Sequence, residues 1–329
     1  MTEEIYGALA RMGLIGKDDR PRLEPLPGGV SSNILRVDLP TGPICVKQAL
    51  AKLKVAQDWR APVSRNAAEL AWLQLAQRLV PASVPRILGH DPAAGLFAMA
   101  YLDPERHPVW KAELRDGRID LATARAVAAA IGRVHAATAD DAATAAAFAH
   151  DGTFHAIRLE PYLLATARAC PDVAAPLEAL VARTASTRRA LVHGDVSPKN
   201  ILVGPAGPIL LDAECAWFGD PAFDAAFCLN HLLLKGVWRP QHRAAYLQAF
   251  AAFAETYLDA AAWEPRAGIE SRIATLLPGL LLGRIDGKSP VEYVTAEADR
   301  DHVRRFARRF LQAPAERLAA IASAWEQHA

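Results

Sequence analysis

The chain has 329 residues, of which 52% are hydrophobic and 22% charged, and its 37 Lys+Arg against 36 Asp+Glu give a formal net charge of +1. This is a globular composition, long enough for two domains or two lobes around one cleft, and it excludes a disordered chain. The even charge speaks against a nucleic-acid partner, which calls for a basic excess or stripe.

The first hundred residues alternate short apolar runs with turns. RLEPL (22–26), NILRVDL (33–39) and ICVKQ (44–48) are separated by PGGVSS and PTGP, which predicts an antiparallel meander. Residues 64–79 follow with helical spacing and Ser64 as N-cap. PRILGHD (85–91) and LFAMAYL (96–102) read as two more strands. From about residue 118 the pattern turns helical, over 119–139, 157–184, 221–235, 239–264, 267–282 and 296–327. Two short β runs, Ala190–Val192 and Ile209–Leu211, interrupt it. The expected class is α+β, with a small sheet-plus-helix lobe over 1–101 and a larger, mainly helical lobe over 102–329.

The four cysteines, at 45, 170, 215 and 228, form no CxxC and read as buried, reduced thiols. The opening MTEEIYGALA has no basic-then-apolar plan, and the most apolar run, Ile273–Leu282, contains Pro278 and Gly279 and is too short to span a bilayer. A cytoplasmic chain without a membrane partner is expected; its oligomeric state is not set by the sequence.

The densest chemistry lies in LVHGDVSPKNILVGPAGPILLDAECAWFGDPAFD, Leu191 to Asp224. Asp195 precedes Asn200 by five residues in a loop bounded by β runs, and Asp212 follows a third apolar run twelve residues later. Phosphoryl transfer needs such a set. One carboxylate orients or deprotonates the attacking hydroxyl, while an amide oxygen and a second carboxylate hold magnesium on the triphosphate. A glycosidase also uses paired carboxylates, but has no need of an asparagine at a fixed offset. A polar surface hairpin is the bland alternative.

These motifs resemble the catalytic segment of the aminoglycoside phosphotransferase and choline kinase superfamily, which is protein-kinase-like in fold. The matching residues are His193-Gly-Asp195 with Asn200, then Asp212-Ala-Glu214, then Gly219-Asp220-Pro221 and Asp224. The resemblance implies ATP and Mg2+ as cofactors and a small hydroxylated molecule as partner. It implies Asp195 as the catalytic base, and Asn200, Asp212 and Glu214 as metal ligands. GGVSSN (28–33) corresponds to the phosphate-facing glycine turn, with Gly28, Gly29, Ser31 and Ser32 on ATP. Lys47 would meet the α- and β-phosphates, held by Glu69 on the helix. Met99 and Tyr101 fall in the connection whose backbone reads adenine. His193 is expected to buttress the loop and Lys199 to be exposed. Asp220 is expected to hold loop backbone, His135 to pack between helices, and Ser197 to touch phosphate or cap the turn.

The acceptor is less legible. VKQAL (46–50) with Trp59, Arg65 and Glu69 is locally similar to methylthioribose kinase, which implies a sugar-like alcohol. Aminoglycoside and amino-alcohol acceptors are the alternatives, although residues 225–294 carry no dense acidic run to meet a polycation. GRIDGKSPVEY (283–293) reads as a polar loop in which Arg284, Asp286 and Lys288 contact the acceptor, with Gly287 letting the backbone approach it. A nucleotide-binding pseudokinase or regulatory protein is the reading from another class; the presence of Lys47, Asp195, Asn200 and Asp212 together argues against it.

Overall fold

The computed structural model describes residues 2–27, 32–49 and 65–327. Gly28, Gly29, Ser31, Trp59 and Ser64 lie outside the described residues. Helix α1 (Thr2–Arg11) precedes strands β1 (Leu23–Pro25), β2 (Ser32–Leu39) and β3 (Gly42–Ala49). Helix α2 (Arg65–Leu79), β4 (Ile87–Asp91) and β5 (Leu96–Ala100) complete the first part. The five strands form one antiparallel sheet in the order β1-β2-β3-β5-β4. Leu39 faces Gly42 across the tight β2–β3 turn, where Gly42 holds a φ of 115° that a side chain rarely adopts.

Side chains alternate across a strand, and β3 uses that alternation to divide two environments. Ile44 and Val46 join Val37, Leu96 and Ala98 in a small core closed by Ile5, Ala8 and Leu9 of α1. Cys45 points the other way, into the large core with Phe97, Met99 and Trp72. Lys47 has the same parity as Cys45 and so reaches the inner face. Helix α1 was not anticipated from the sequence, yet its apolar face covers the outer side of the sheet.

The rest is mainly helical. Helices α3 (Trp110–Arg115), α4 (Leu121–Thr138) and α5 (Ala142–Ala147) come first. A bent helix follows: α6 (Asp151–Phe154), a π-helical stretch His155–Leu164, and α7 (Ala165–Ala169). Pro161 lies inside the π stretch and has no N–H for the regular ladder, which gives the wide turn a local cause. After α8 (Ala174–Ser186), strand β6 (Ala190–Val192) pairs with β9 (Trp217–Gly219), and between them β7 (Ile201–Gly204) pairs with β8 (Gly207–Leu210). Four short strands therefore stand where two runs were expected. Helices α9 (Ala222–Trp238), α10 (Arg243–Ala260), α11 (Arg266–Asp286), α12 (Glu297–Gln312) and α13 (Leu318–Gln327) close the chain. Every residue of α9 from Ala222 to Val237 is buried, which makes it the central helix of this part. Among the described residues no helix is long and apolar enough to cross a membrane.

Candidate active site

A cleft of about 350 Å³ opens between the sheet and the β7–β8 hairpin. Lys47, Glu69, Met99, Tyr101, Lys199, Asn200 and Asp212 all line it, among apolar side chains such as Leu26, Ile34, Leu202 and Leu211. At its inner end the Lys47 ammonium lies 2.7 Å from Glu69 Oε1 and 2.5 Å from Asp212 Oδ1. Burial works against this cation, but Asp212 and then Glu69 outweigh it and hold Lys47 charged well above its usual range. Glu69 is pushed upward by burial, with Lys47 opposing. Three elements far apart in sequence thus meet on one ammonium. Ser32 is buried at the start of β2.

Asp212 adopts a φ of 68°, in the left-handed region that side chains other than glycine seldom enter. Such a backbone costs roughly 1–3 kcal/mol and gathers at functional sites, where surrounding structure enforces it. Burial would raise the Asp212 carboxyl, yet Lys47 and Lys199 keep it below the usual range and ionised.

The catalytic-loop candidates are held by buried bonds. Asp224, at the start of α9, accepts the His193 N–H at 2.7 Å and the Gly194 N–H at 2.8 Å. His135 meets the same carboxylate at 3.1 Å and the Tyr257 hydroxyl at 2.9 Å, so this histidine joins the support beneath the loop as well as packing between helices. Gly194 has a φ of 81°, and a Cβ there would stand 2.8 Å from the Cys215 Cβ and 2.9 Å from its carbonyl oxygen. The Asp195 N–H donates to His193 Nδ1 at 3.2 Å. That leaves the His193 proton on Nε2, and burial holds the ring below its usual pKa and neutral. The ring packs edge-on against Trp72, with centroids 4.7 Å apart.

Asp195 itself is almost fully buried. Its Oδ2 takes Arg158 Nη2 at 2.9 Å and Lys199 Nζ at 3.3 Å, while Oδ1 is buried without a partner. Burial would raise its pKa, but Lys199, Arg158 and His193 together hold the carboxyl far below the usual range. It is therefore an ionised group with one oxygen free to accept a hydroxyl proton. Ser197 Oγ is also buried without a partner. Asn200 donates Nδ2 to the Asp195 carbonyl at 3.2 Å, which leaves Oδ1 as its donor oxygen for a cation. Asn200 Oδ1 and the Asp212 carboxylate are hard oxygen donors on one cleft. Among the described residues no trio of His, Cys, Asp and Glu could enclose a metal ion. The two donors fit a hard cation such as Mg2+, which keeps waters and phosphate oxygens for its remaining positions.

Other residues stand differently from expectation. Glu214 is ion-paired with Arg65 Nε at 2.9 Å, a competing use for the proposed metal ligand. Lys199 is exposed along its stem, as expected, but its ammonium returns to Asp195. Asp220 accepts the Ala222 N–H and is also bridged by Arg272 of α11. Residues 283–293 are not one loop, because α11 continues through Asp286. The Asp286 carboxylate is taken by Arg304 of α12 at 2.8–3.1 Å, not offered to a ligand. Lys288 is exposed, and its N–H donates to the Pro161 carbonyl. A Cβ on Gly287 would lie 2.4 Å from the Gly283 carbonyl and 2.9 Å from that of Pro161, so the close approach there is to the protein's own backbone. Arg284 alone of the three turns toward the catalytic side, with Nη1 at 3.3 Å from the Tyr162 hydroxyl and 2.5 Å from the Ser289 carbonyl. Arg158 was not singled out from the sequence; it lay inside a long helical pattern without a motif of its own.

A buried lysine on a five-stranded sheet, paired with a glutamate of the neighbouring helix and set with an HGD loop on a mainly helical body, is the arrangement of a kinase-like phosphotransferase. The chain belongs to the phosphotransferase enzyme family, whose model matches residues 22–269. No curated protein matches it by sequence. Among solved structures it is similar to a choline/ethanolamine kinase family protein from Mesorhizobium loti, at 18% identity and TM-score 0.51 over 98% of this chain and 99% of that one. It is also similar to an ethanolamine kinase of Plasmodium vivax, at 10% identity and TM-score 0.55 over 91% and 85%. The amicoumacin kinase hAmiN, solved with AMP-PNP, Ca2+ and its ligand, matches at 14% identity and TM-score 0.53 over 90% of each chain. At these identities the likeness is one of fold.

Proposed function

We propose that the protein is an ATP- and Mg2+-dependent kinase that phosphorylates a hydroxyl of a small, sugar-like metabolite. The observation that carries this reading is the buried, ionised Asp195 with a free Oδ1, bonded to Lys199 and Asn200, which line one cleft with Asp212 and the Lys47–Glu69 pair. In this reading residues 1–101 form the nucleotide lobe and 102–329 the catalytic lobe. Met99 and Tyr101 would meet adenine, and Gly28, Gly29, Ser31 and Ser32 are the residues proposed for the phosphates. Lys47 would exchange Asp212 for the α- and β-phosphates of a bound nucleotide, with Glu69 keeping it in place. Asn200 and Asp212 would hold the metal, whose chemistry there would be to neutralise charge on the phosphates. Glu214 reaches it only by releasing Arg65.

Asp195 orients the acceptor hydroxyl and takes its proton as the phosphoryl group arrives. A carboxylate held so far below its usual range is a weak base, so orientation is the larger part of its work. Lys199, beside Asp195 and within the same cleft, is placed to meet charge on the transferred phosphoryl group. Residues 225–294 carry no dense acidic run, which disfavours a polycationic aminoglycoside acceptor. The test is a coupled ADP-release screen across sugars, sugar acids, sugar phosphates, amino alcohols and aminoglycosides. ADP release by no member, together with no stabilisation by Mg·AMP-PNP, removes the kinase reading.

A further inference from the structure

Several buried polar groups lie outside the nucleotide cleft and have no part in the chemistry so far. His231 and Lys235 are four apart on α9 and so share one face of that helix. They are 7% and 1% exposed. The Lys235 ammonium lies 4.5 Å from the centre of the Tyr293 ring and 5.2 Å from that of Trp238, and these two rings stack on each other. Among the described residues no carboxylate comes within salt-bridge distance of it. Arg284 of α11 faces the same region, with its Nε buried and without a partner. The Tyr293 hydroxyl is likewise buried and unpartnered.

The cluster connects to the Asp195 side through His231 and Tyr162. The Arg158 guanidinium that bonds Asp195 lies 5.9 Å from the centre of the Tyr162 ring, and the Arg284 guanidinium lies 5.5 Å from the same centre. Tyr162 therefore links the two arginines, one on the catalytic carboxylate and one on the basic cluster. His231 feels Arg284, Lys235, Asp195 and Lys199 together, and burial followed by the first two cations holds it neutral, well below its usual pKa.

The nearby carboxylates are already committed. Asp195 is occupied by Arg158 and Lys199, and Glu292 sits at the exposed rim on Lys111. A buried ammonium without a counter-ion is unfavourable, and a methionine would fill the same space without that penalty. The aromatic contacts offset part of it, since a cation over a ring is attracted. The excess remains cationic, and Tyr162 connects it to the arginine that holds Asp195.

We propose that Lys235, Arg284 and His231 form a binding site for an anionic group of the acceptor, so that the substrate is a hydroxylated carboxylate or phosphate ester and not a neutral or cationic alcohol. This rests on the kinase reading above and narrows its substrate class. The cations would hold the carboxylate or phosphate, the Tyr293 hydroxyl and His231 would supply neutral hydrogen bonds, and Trp238 and Tyr162 would flank the carbon skeleton.

The experiment has a binding arm and a turnover arm. In the first, wild type, Lys235→Met and Arg284→Met are saturated with Mg·AMP-PNP and titrated with inorganic phosphate, then with acetate, by calorimetry. The nucleotide fills the other phosphate site. Wild type is expected to bind at least one of these anions, and which one distinguishes a phosphate ester from a carboxylate; both variants bind at least tenfold more weakly. Without any anion, Lys235→Met is expected to melt higher than wild type, an outcome that a lysine retained for packing would not give. Equal binding by all three proteins, or none by wild type, overturns the site. In the second arm, ADP release is compared across a neutral sugar, its acid and its phosphate ester. At least a tenfold higher kcat/KM for an anionic form, lost in Lys235→Met, is expected. Turnover of neutral or cationic acceptors without that gain overturns the anion site and leaves the kinase reading intact. Lys235-dependent anion binding with no ADP release from any acceptor overturns the kinase reading and, with it, the acceptor role of the site.

Discussion

The two ends of the catalytic region handle buried cations in opposite ways. At the nucleotide end Lys47 has two carboxylates within 2.7 Å, and its charge is secured before any ligand arrives. At the proposed acceptor end Lys235 has aromatic rings and further cations around it, and burial followed by Lys111 brings its pKa down to about 7, with Glu292 opposing. The same residue type is thus assembled in one place and left incomplete in the other. An assembled pair needs only to be redirected by its ligand, whereas an incomplete one is completed by it.

The largest expected effect is at the boundary between the two ends. Asp195→Ala should lower kcat by roughly 10²–10⁴-fold, the usual worth of a positioned base, with Mg·AMP-PNP affinity nearly unchanged. Near-normal kcat would place the chemistry elsewhere and dissolve the distinction between the ends. Next, Asp212→Asn should weaken Mg·ATP binding at least tenfold, about 1.4 kcal/mol, and metal-free ATP binding much less. Equal losses with and without magnesium, read by calorimetry, would leave Asp212 as a partner of Lys47 only.

At the other end the contrast can be sharpened by pH. The folded-state pKa of Lys235 is lowered to about 7, below the 10.5 of a free lysine side chain. Below pH 7 the lysine is charged in both states, and the folded protein carries the whole burden of its burial. That burden is relieved as pH rises from 7 toward 10.5, because the folded state sheds its proton first. The gain in Tm of Lys235→Met should therefore be greatest at pH 7 and below, and shrink steadily toward pH 10. A constant difference in melting scans would mean that Lys235 is already neutralised. The smallest effect is expected at Asp286. Asp286→Ala should lower stability by about 1 kcal/mol or less, because its partner Arg304 keeps Glu297 and Asp301, and it should leave acceptor KM unchanged. A tenfold rise in acceptor KM would return Asp286 to the pocket and break the separation from Arg284.

The nucleotide end was legible in sequence because its residues sit on short strands and loops with fixed offsets. Lys47 stands near the end of a β run, Glu69 lies within the helix that follows, and Asp195, Asn200 and Asp212 punctuate β runs. The acceptor end was hidden because helices spread its residues through apolar text. His231 and Lys235 stand in FCLNHLLLKGVW, where their spacing of four was the available signal, joined to a helix apolar on every face. Arg158 and Tyr162 are also four apart, but on a π-helical stretch that composition alone does not announce. The 283–293 segment misled because Gly287 and alternating charges look like a turn. Gly283 is instead a helix residue that lets α11 seat against the Tyr162 backbone, where a Cβ would lie 2.2 Å from the carbonyl oxygen. Helix α1 went unread because its opening was weighed only as a targeting segment.

Helix α9 has one more consequence. Its first turn carries Asp224, the anchor for the His193 and Gly194 amides, and the same helix carries His231 and Lys235 seven and eleven residues further on. At 1.5 Å per residue these positions lie about 10 and 16 Å along the axis from the anchor. The loop that meets the hydroxyl and the cations that would meet the anion are thus mounted on a single rod, and the rod cannot stretch. Their spacing is a fixed gauge for the molecule laid between them. In a series of hydroxy acids of increasing length, one length should span that gauge and be turned over best. Shorter members would engage the cations while their hydroxyls stop short of Asp195.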